Sequence, residues 1–147
     1  MGTHYSGTER EIGALNAFIK LIRAAESLNE RISQKIAAHH LTLSQFGVME
    51  ILHHLGALPQ CKIGEKLLKS SGNITMVVDN LEKLNLVERR RDSGDRRVVM
   101  VHLTGEGRAL IERIFPEHVG VIVEEMGVLD SREQELLGQL CRKVGLR

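Results

Sequence analysis

The chain has 147 residues, 42% hydrophobic and 27% charged, with a formal net charge of +1 at pH 7. That length is enough for one domain to bury a core, and a charge this close to zero does not by itself announce a nucleic-acid partner. Aromatic side chains make up 3% and tryptophan is absent, which suits a base-stacking platform for single strands poorly, because such platforms expose aromatic rings.

From about Thr8 to Ala38 apolar residues recur every three or four positions, at Ile12, Leu15, Ile19, Ile22, Leu28, Ile32 and Ile36. This spacing predicts one long amphipathic helix, longer than a small domain needs, with part of its apolar face left for a partner chain. Thr42 and Gln45 form a capping box for a second helix. Its buried side is Phe46, Met49, Ile51, Leu52 and Leu55, and Gly56 and Pro59 end it. Cys61 to Leu68 reads as a short helix with Ile63, Leu67 and Leu68 inward. A turn at Lys69 to Gly72 leads to a further helix over about Asn73 to Leu84, capped by Ser70 or Ser71 and burying Ile74, Val77, Val78 and Leu81. Two short helices across a tight turn make a helix-turn-helix.

Asn85 suits the left-handed position that stops a helix. Leu86 to Arg91 and Arg97 to Leu103 are extended runs joined by turn chemistry at Asp92 to Arg96, which predicts a β-hairpin, or wing. Thr104 caps the next helix, whose stripe is Leu110, Ile111, Ile114, Val119, Ile122 and Val123. Pro116 inside that pattern should kink or split it. Asp130 and Glu133 form a second capping box, and Leu136, Leu137, Leu140 and Val144 face inward on the last helix. The fold expected is mainly α with a small β-hairpin. A winged helix-turn-helix core over 42–103 is flanked by helical regions, 8–38 and 104–147, that dimerise within a single domain.

A helix-turn-helix offers the start of its second helix to the major groove of duplex DNA. The exposed residues there are Ser71, Gly72, Asn73, Thr75, Met76, Asp79 and Asn80. Asn73 and Asn80 can offer amides to an adenine edge, Thr75 can bond a phosphate or a base, and Met76 can touch a thymine methyl. On the wing, Arg89, Arg90 and Arg91 enter the hairpin and Arg96 and Arg97 close its tip. Of the wing arginines, Arg89, Arg91, Arg96 and Arg97 are the candidate DNA contacts. Arg96 is placed in the minor groove, and Arg97 supports the tip through Asp92 or Asp95.

The stretches L-T-L-S-Q-F-G-V-M-E-I-L, G-N-I-T-M-V-V-D-N-L-E-K-L-N-L-V-E-R-R and D-S-G-D-R-R-V-V-M-V-H-L-T-G-E-G-R resemble the MarR family of bacterial regulators. The most specific part is the D-x-x-D-R-R wing running into L-T-x-x-G. Asn85 departs from the glycine usual there, but asparagine tolerates the same backbone conformation. The resemblance implies a homodimer built from the first and last helices, binding a pseudo-palindromic operator, usually as a repressor. It also implies an effector pocket between the first, second and fifth helices, with a small aromatic or other organic molecule as the default ligand.

Cys61, at the start of the short third helix beside Lys62, is a redox candidate, although peroxide-sensing members carry their cysteine in the first helix. Cys61 and Cys141 form no C-x-x-C pair, as expected of a reduced cytoplasmic protein. The histidines His39, His40, His53, His54, His102 and His118 show no H-x-x-x-H spacing, so neither a metal nor a cofactor is expected. No leader is expected, and no apolar run in the sequence reaches membrane length. G-x-S-x-G, H-E-x-x-H and Gly-rich phosphate motifs are missing, which argues against an enzyme. The alternative reading is a winged helix used for protein contacts without operator binding.

Overall fold

The computed structural model describes residues 2–146. The chain divides into two compact units, one ending at Leu43 and one beginning at Ser44. The first is dominated by α1 (Glu9–Ala37), which starts from a reciprocal cap. The Thr8 hydroxyl accepts from the Glu11 N–H at 3.3 Å while Glu11 Oε2 accepts from the Thr8 N–H at 2.8 Å. The Thr8 backbone N–H, and then its hydroxyl, hold the Glu11 carboxyl below the usual carboxylate range. Phe18, Leu21 and Ile22 stand exposed on this helix.

The rest of the chain forms α2 (Leu43–Leu55), β1 (Leu58–Pro59), α3 (Gln60–Leu67), α4 (Ser71–Lys83), β2 (Val87–Arg91), β3 (Val99–Leu103), α5 (Gly105–Met126) and α6 (Ser131–Gly145). Gly56, at φ +77, ends α2 where a side chain would be strained. The core of this unit is aliphatic. Met49, Ile63, Ile74, Val78, Leu81, Val101 and Ile111 are fully buried together with Phe46. The four residues expected to face inward from α4 all do so.

The predicted hairpin is the larger part of a three-stranded antiparallel sheet of order β1-β3-β2, in which Leu58 pairs with Val101 and Pro59 with Met100. A two-residue strand has no periodicity to read. It exists because β3 presents a free edge, and Pro59, which lacks an N–H, is tolerated there.

Three short stops shape the unit. After α3 the Lys69 N–H bonds Gly64 O at 3.0 Å and the Leu68 N–H bonds Glu65 O at 3.3 Å, with Leu68 left-handed at φ 54. That is a Schellman turn with leucine in the glycine position. It swings Leu68 outward, 91% exposed, rather than inward as the sequence pattern suggested. After α4, Asn85 takes the left-handed position at φ 57, as expected, and Leu86 N–H reaches back to Leu81 O at 3.0 Å. After β3, the Thr104 hydroxyl accepts from Gly107 N–H at 3.0 Å and donates to Asn85 O at 2.7 Å. The cap of α5 is thereby tied to the stop of α4.

Pro116 does not split α5, which runs unbroken through it. One missing N–H is carried by the flanking turns, where Ile111 and Ile114 are buried. The expected box at Asp130 and Glu133 is present, with both bonds at 2.9 Å. The inward face expected for α6 is not buried within the chain. Leu136, Leu137, Leu140 and Val144 are all exposed, and no described residue of α6 is buried.

Candidate nucleic-acid interface

Ser70, not Ser71, caps α4: its hydroxyl accepts from Asn73 N–H at 3.2 Å, so the helix starts at Ser71. The first-turn N–H groups of Ser71 and Gly72 therefore point out of the helix start, the usual setting for a phosphate. Ser71, Gly72, Thr75, Met76 and Asn80 are exposed on one polar face, and Asn73 and Asp79 are half-buried beside it. Asn73 Oδ1 is buried without a hydrogen-bond partner among the described residues.

The wing is built from the register Arg91↔Val99, Arg89↔Val101 and Val87↔Leu103. Its turn is closed by Asp92 N–H to Val98 O at 2.9 Å, and the Asp92 carboxylate accepts from Gly94 and Asp95 N–H groups. Arg97 pairs with Asp95 at 3.2 Å, the supporting role expected of it. The Arg97 side chain and then its N–H hold the Asp95 carboxyl below the usual range. Arg91 Nη1 donates to the Arg96 carbonyl at 2.8 Å and so braces the tip from below. Arg96 is exposed, and its guanidinium has no partner among the described residues. Arg90 pairs with Glu88 along the strand.

Arg89 stands apart from the other wing arginines. Its side chain is 23% exposed and is held by Asp79 at 2.7 Å, by Glu82 at 3.1 Å and by Gln60 Oε1. The sequence made it a candidate DNA contact. In the structure it joins β2 to α4 and α3. Gln60 and Glu82 are the residues that sequence reasoning missed. Nothing in their local pattern marks them, since Gln60 lies 29 residues from Arg89.

Cys61 and Cys141 are free and exposed, and the neighbouring Lys62 is paired with Glu65 at 3.1 Å. Among the described residues no three His, Cys, Asp or Glu side chains group closely enough to hold a metal. Three of the histidines meet phenylalanine rings between α2 and α5: His118 lies 4.5 Å from Phe46, and His54 and His53 lie 4.8 Å and 6.3 Å from Phe115, centroid to centroid. His53 Nδ1 and His118 Nδ1 are buried without a partner among the described residues. No described helix is long and apolar enough to cross a membrane.

The MarR family model matches residues 41–99, which span α2 to the start of β3. The HTH-type transcriptional regulator MhqR of Bacillus subtilis is 40% identical over 90% of this chain and 92% of its own. The chain belongs to the MarR family. It is a winged helix-turn-helix, DNA-binding transcriptional regulator. The protein-contact alternative is not favoured. Among solved structures, BpsR of Bordetella bronchiseptica, whose DNA binding is regulated by 6-hydroxynicotinic acid, has a TM-score of 0.79 at 28% identity, covering 88% of this chain and 98% of its own. A cysteine mutant of MarR from E. coli in complex with operator DNA has a TM-score of 0.79 at 25% identity, covering 95% and 99%. The Asn85 variation within this MarR-family chain is accommodated by the left-handed backbone already described.

Proposed function

We propose that the protein acts as a homodimeric repressor of a pseudo-palindromic operator, with α4 in the major groove and Arg96 in the adjacent minor groove. The observation that carries this reading is the contrast among the wing arginines. Arg89, Arg91 and Arg97 are engaged within the chain, whereas Arg96 is exposed and unengaged at the tip. A lone guanidinium on a braced hairpin suits a narrow, electronegative groove. The operator complex of the E. coli relative supports the same use of the fold. Ser71, Gly72, Asn73, Thr75, Met76 and Asn80 are the groove-facing contacts in this reading. Arg91 and Arg97 hold the tip in place, and Arg89 sets the angle of α4.

The helical regions 8–38 and 104–147 are the dimerisation parts, and 42–103 is the reading core. The effector is a small aromatic organic acid. The BpsR ligand supports that class, and so do the unpartnered imidazole nitrogens of His53 and His118 beside Phe46 and Phe115, which suit a ring bearing hydroxyl or carboxyl groups. Cys61 is not needed in this scheme.

Arg96→Ala tests the wing. Operator affinity should fall about tenfold with the dimer and its melting temperature unchanged. In a salt titration on random duplex, wild-type affinity should drop steeply as counterions are released. An Arg96→Ala protein that binds operator as wild type does would remove the minor-groove assignment.

A further inference from the structure

Gln60 is the first residue of α3 and follows directly on β1, so it stands where the wing sheet turns into the helix-turn-helix. Its amide is engaged at both ends. The carbonyl oxygen accepts from Arg89 Nε at 3.3 Å and Nη2 at 3.1 Å, and the amide nitrogen donates to Thr75 Oγ1 at 2.7 Å. A guanidinium only donates, so the Gln60 atom facing it is the oxygen and the NH2 faces Thr75. Arg89 is itself anchored by Asp79 and Glu82, so the amide is not free to flip.

An NH2 group accepts nothing, so the Thr75 hydroxyl proton goes elsewhere. It goes to the Ser71 carbonyl at 2.9 Å. A hydroxyl has one proton and two lone pairs. The proton and one lone pair are committed inside the chain, and a single lone pair remains on an exposed side chain of α4.

We infer that Gln60 is a specificity-determining positioning residue. By holding Thr75 as an acceptor only, it makes α4 select a base that carries an exocyclic amino group on the strand Thr75 faces. In the major groove adenine N6 and cytosine N4 donate, whereas guanine and thymine present acceptors. A lone pair set against an acceptor is left unpaired in a dehydrated interface, which is costly. Phosphate oxygens are excluded for the same reason, so Thr75 reads a base rather than the backbone. This inference rests on α4 being the groove helix.

The test is selection of bound duplexes from a randomised pool by the full-length wild type and by Thr75→Val, Gln60→Met and Asn80→Ala. Gln60→Met keeps the length and the helix start but removes both amide functions. At the base pair that Thr75→Val relaxes, the wild type should accept adenine or cytosine on one strand. It should prefer them about tenfold over the reversed pairs. Gln60→Met should relax that same pair and no other, because the Thr75 side chain, no longer held by the amide, can turn away from the Ser71 carbonyl and offer its proton to a base. Its melting temperature and its affinity for random duplex at low salt should stay close to wild type. A Gln60→Met protein that keeps the preference at that pair overturns the inference, as does a wild-type preference that sorts A·T from G·C irrespective of strand. A Gln60→Met protein that loses stability and binds all duplexes equally less well, with preferences intact, assigns Gln60 a structural role only. If Asn80→Ala relaxes a position and Gln60→Met relaxes none, the Gln60 inference falls alone. If neither Asn80→Ala nor Thr75→Val changes any preference, the groove reading falls and takes this inference with it.

Discussion

A β-carbon on residue 107 would lie 1.9 Å from the Leu86 carbonyl oxygen, and that carbonyl also receives the Thr104 N–H at 3.1 Å. Gly107 is therefore required by the approach of α5 to the end of α4, and the glycine of the L-T-x-x-G pattern has a steric cause. Gly72 is the opposite case. A β-carbon there meets nothing within 4 Å, although it sits in the first turn of α4 on the face assigned to DNA. The two glycines should separate cleanly on substitution. Gly107→Ala should destabilise the fold by roughly 3 kcal/mol, the scale of overpacking against backbone, seen as a lowered urea midpoint. Gly72→Ala should leave stability unchanged or raise it by about 0.5 kcal/mol, since alanine suits a helix better. Operator affinity should fall for Gly72→Ala, because the added methyl stands where phosphate approaches. Equal operator affinity for Gly72→Ala and wild type would take residue 72 out of the interface.

At the scale of elements, the wing shows how one small structure divides its charges. Asp95 holds Arg97, Arg91 holds the Arg96 carbonyl, and Arg96 is left outward. Because the Asp95 carboxyl titrates below its ordinary value of 3.8, the folded tip favours the ionised form. Its contribution is present above the ordinary value and is lost as pH falls through the lowered one. A carboxyl titration by NMR should give Asp95 a midpoint below that of the same residue in Arg97→Ala, and identical midpoints would dissolve the pair. The element order was legible from apolar spacing and caps, because these are local: Thr104, Asp130 and the stripe from Ile74 to Leu81 behave as their neighbours dictate. β1 was not legible, since two residues carry no period and the strand exists only where β3 offers an edge. Leu68 misled, because an apolar residue at helical spacing looks inward until the backbone turns left-handed. The candidate contacts on α4 were readable as a polar face. The engagement of Arg89 was not, because its partners Gln60, Asp79 and Glu82 come from two other elements.

At the scale of the molecule, the decisive feature is the face of α6. Leu136, Leu137, Leu140 and Val144 recur at helical spacing and are exposed by 38% to 61%, and Val119 and Val123 on α5 are exposed as well. A monomer rarely leaves a whole aliphatic helix face in water. A second copy is the natural cover, because a two-fold interface presents the same patch to itself and sets two reading helices on one side of a duplex. Two half-sites on one dimer also bind far better than either alone, since the second contact is made at high effective concentration. Leu136→Glu combined with Leu140→Glu puts two charges on that face without touching a residue of the reading core. The variant should sediment as a monomer at micromolar concentration. Its operator affinity should fall at least about a hundredfold, the loss of avidity, whereas helix content by circular dichroism should stay near wild type. A double variant that remains a dimer with full operator affinity would move the interface away from α6 and leave its apolar face to another occupant.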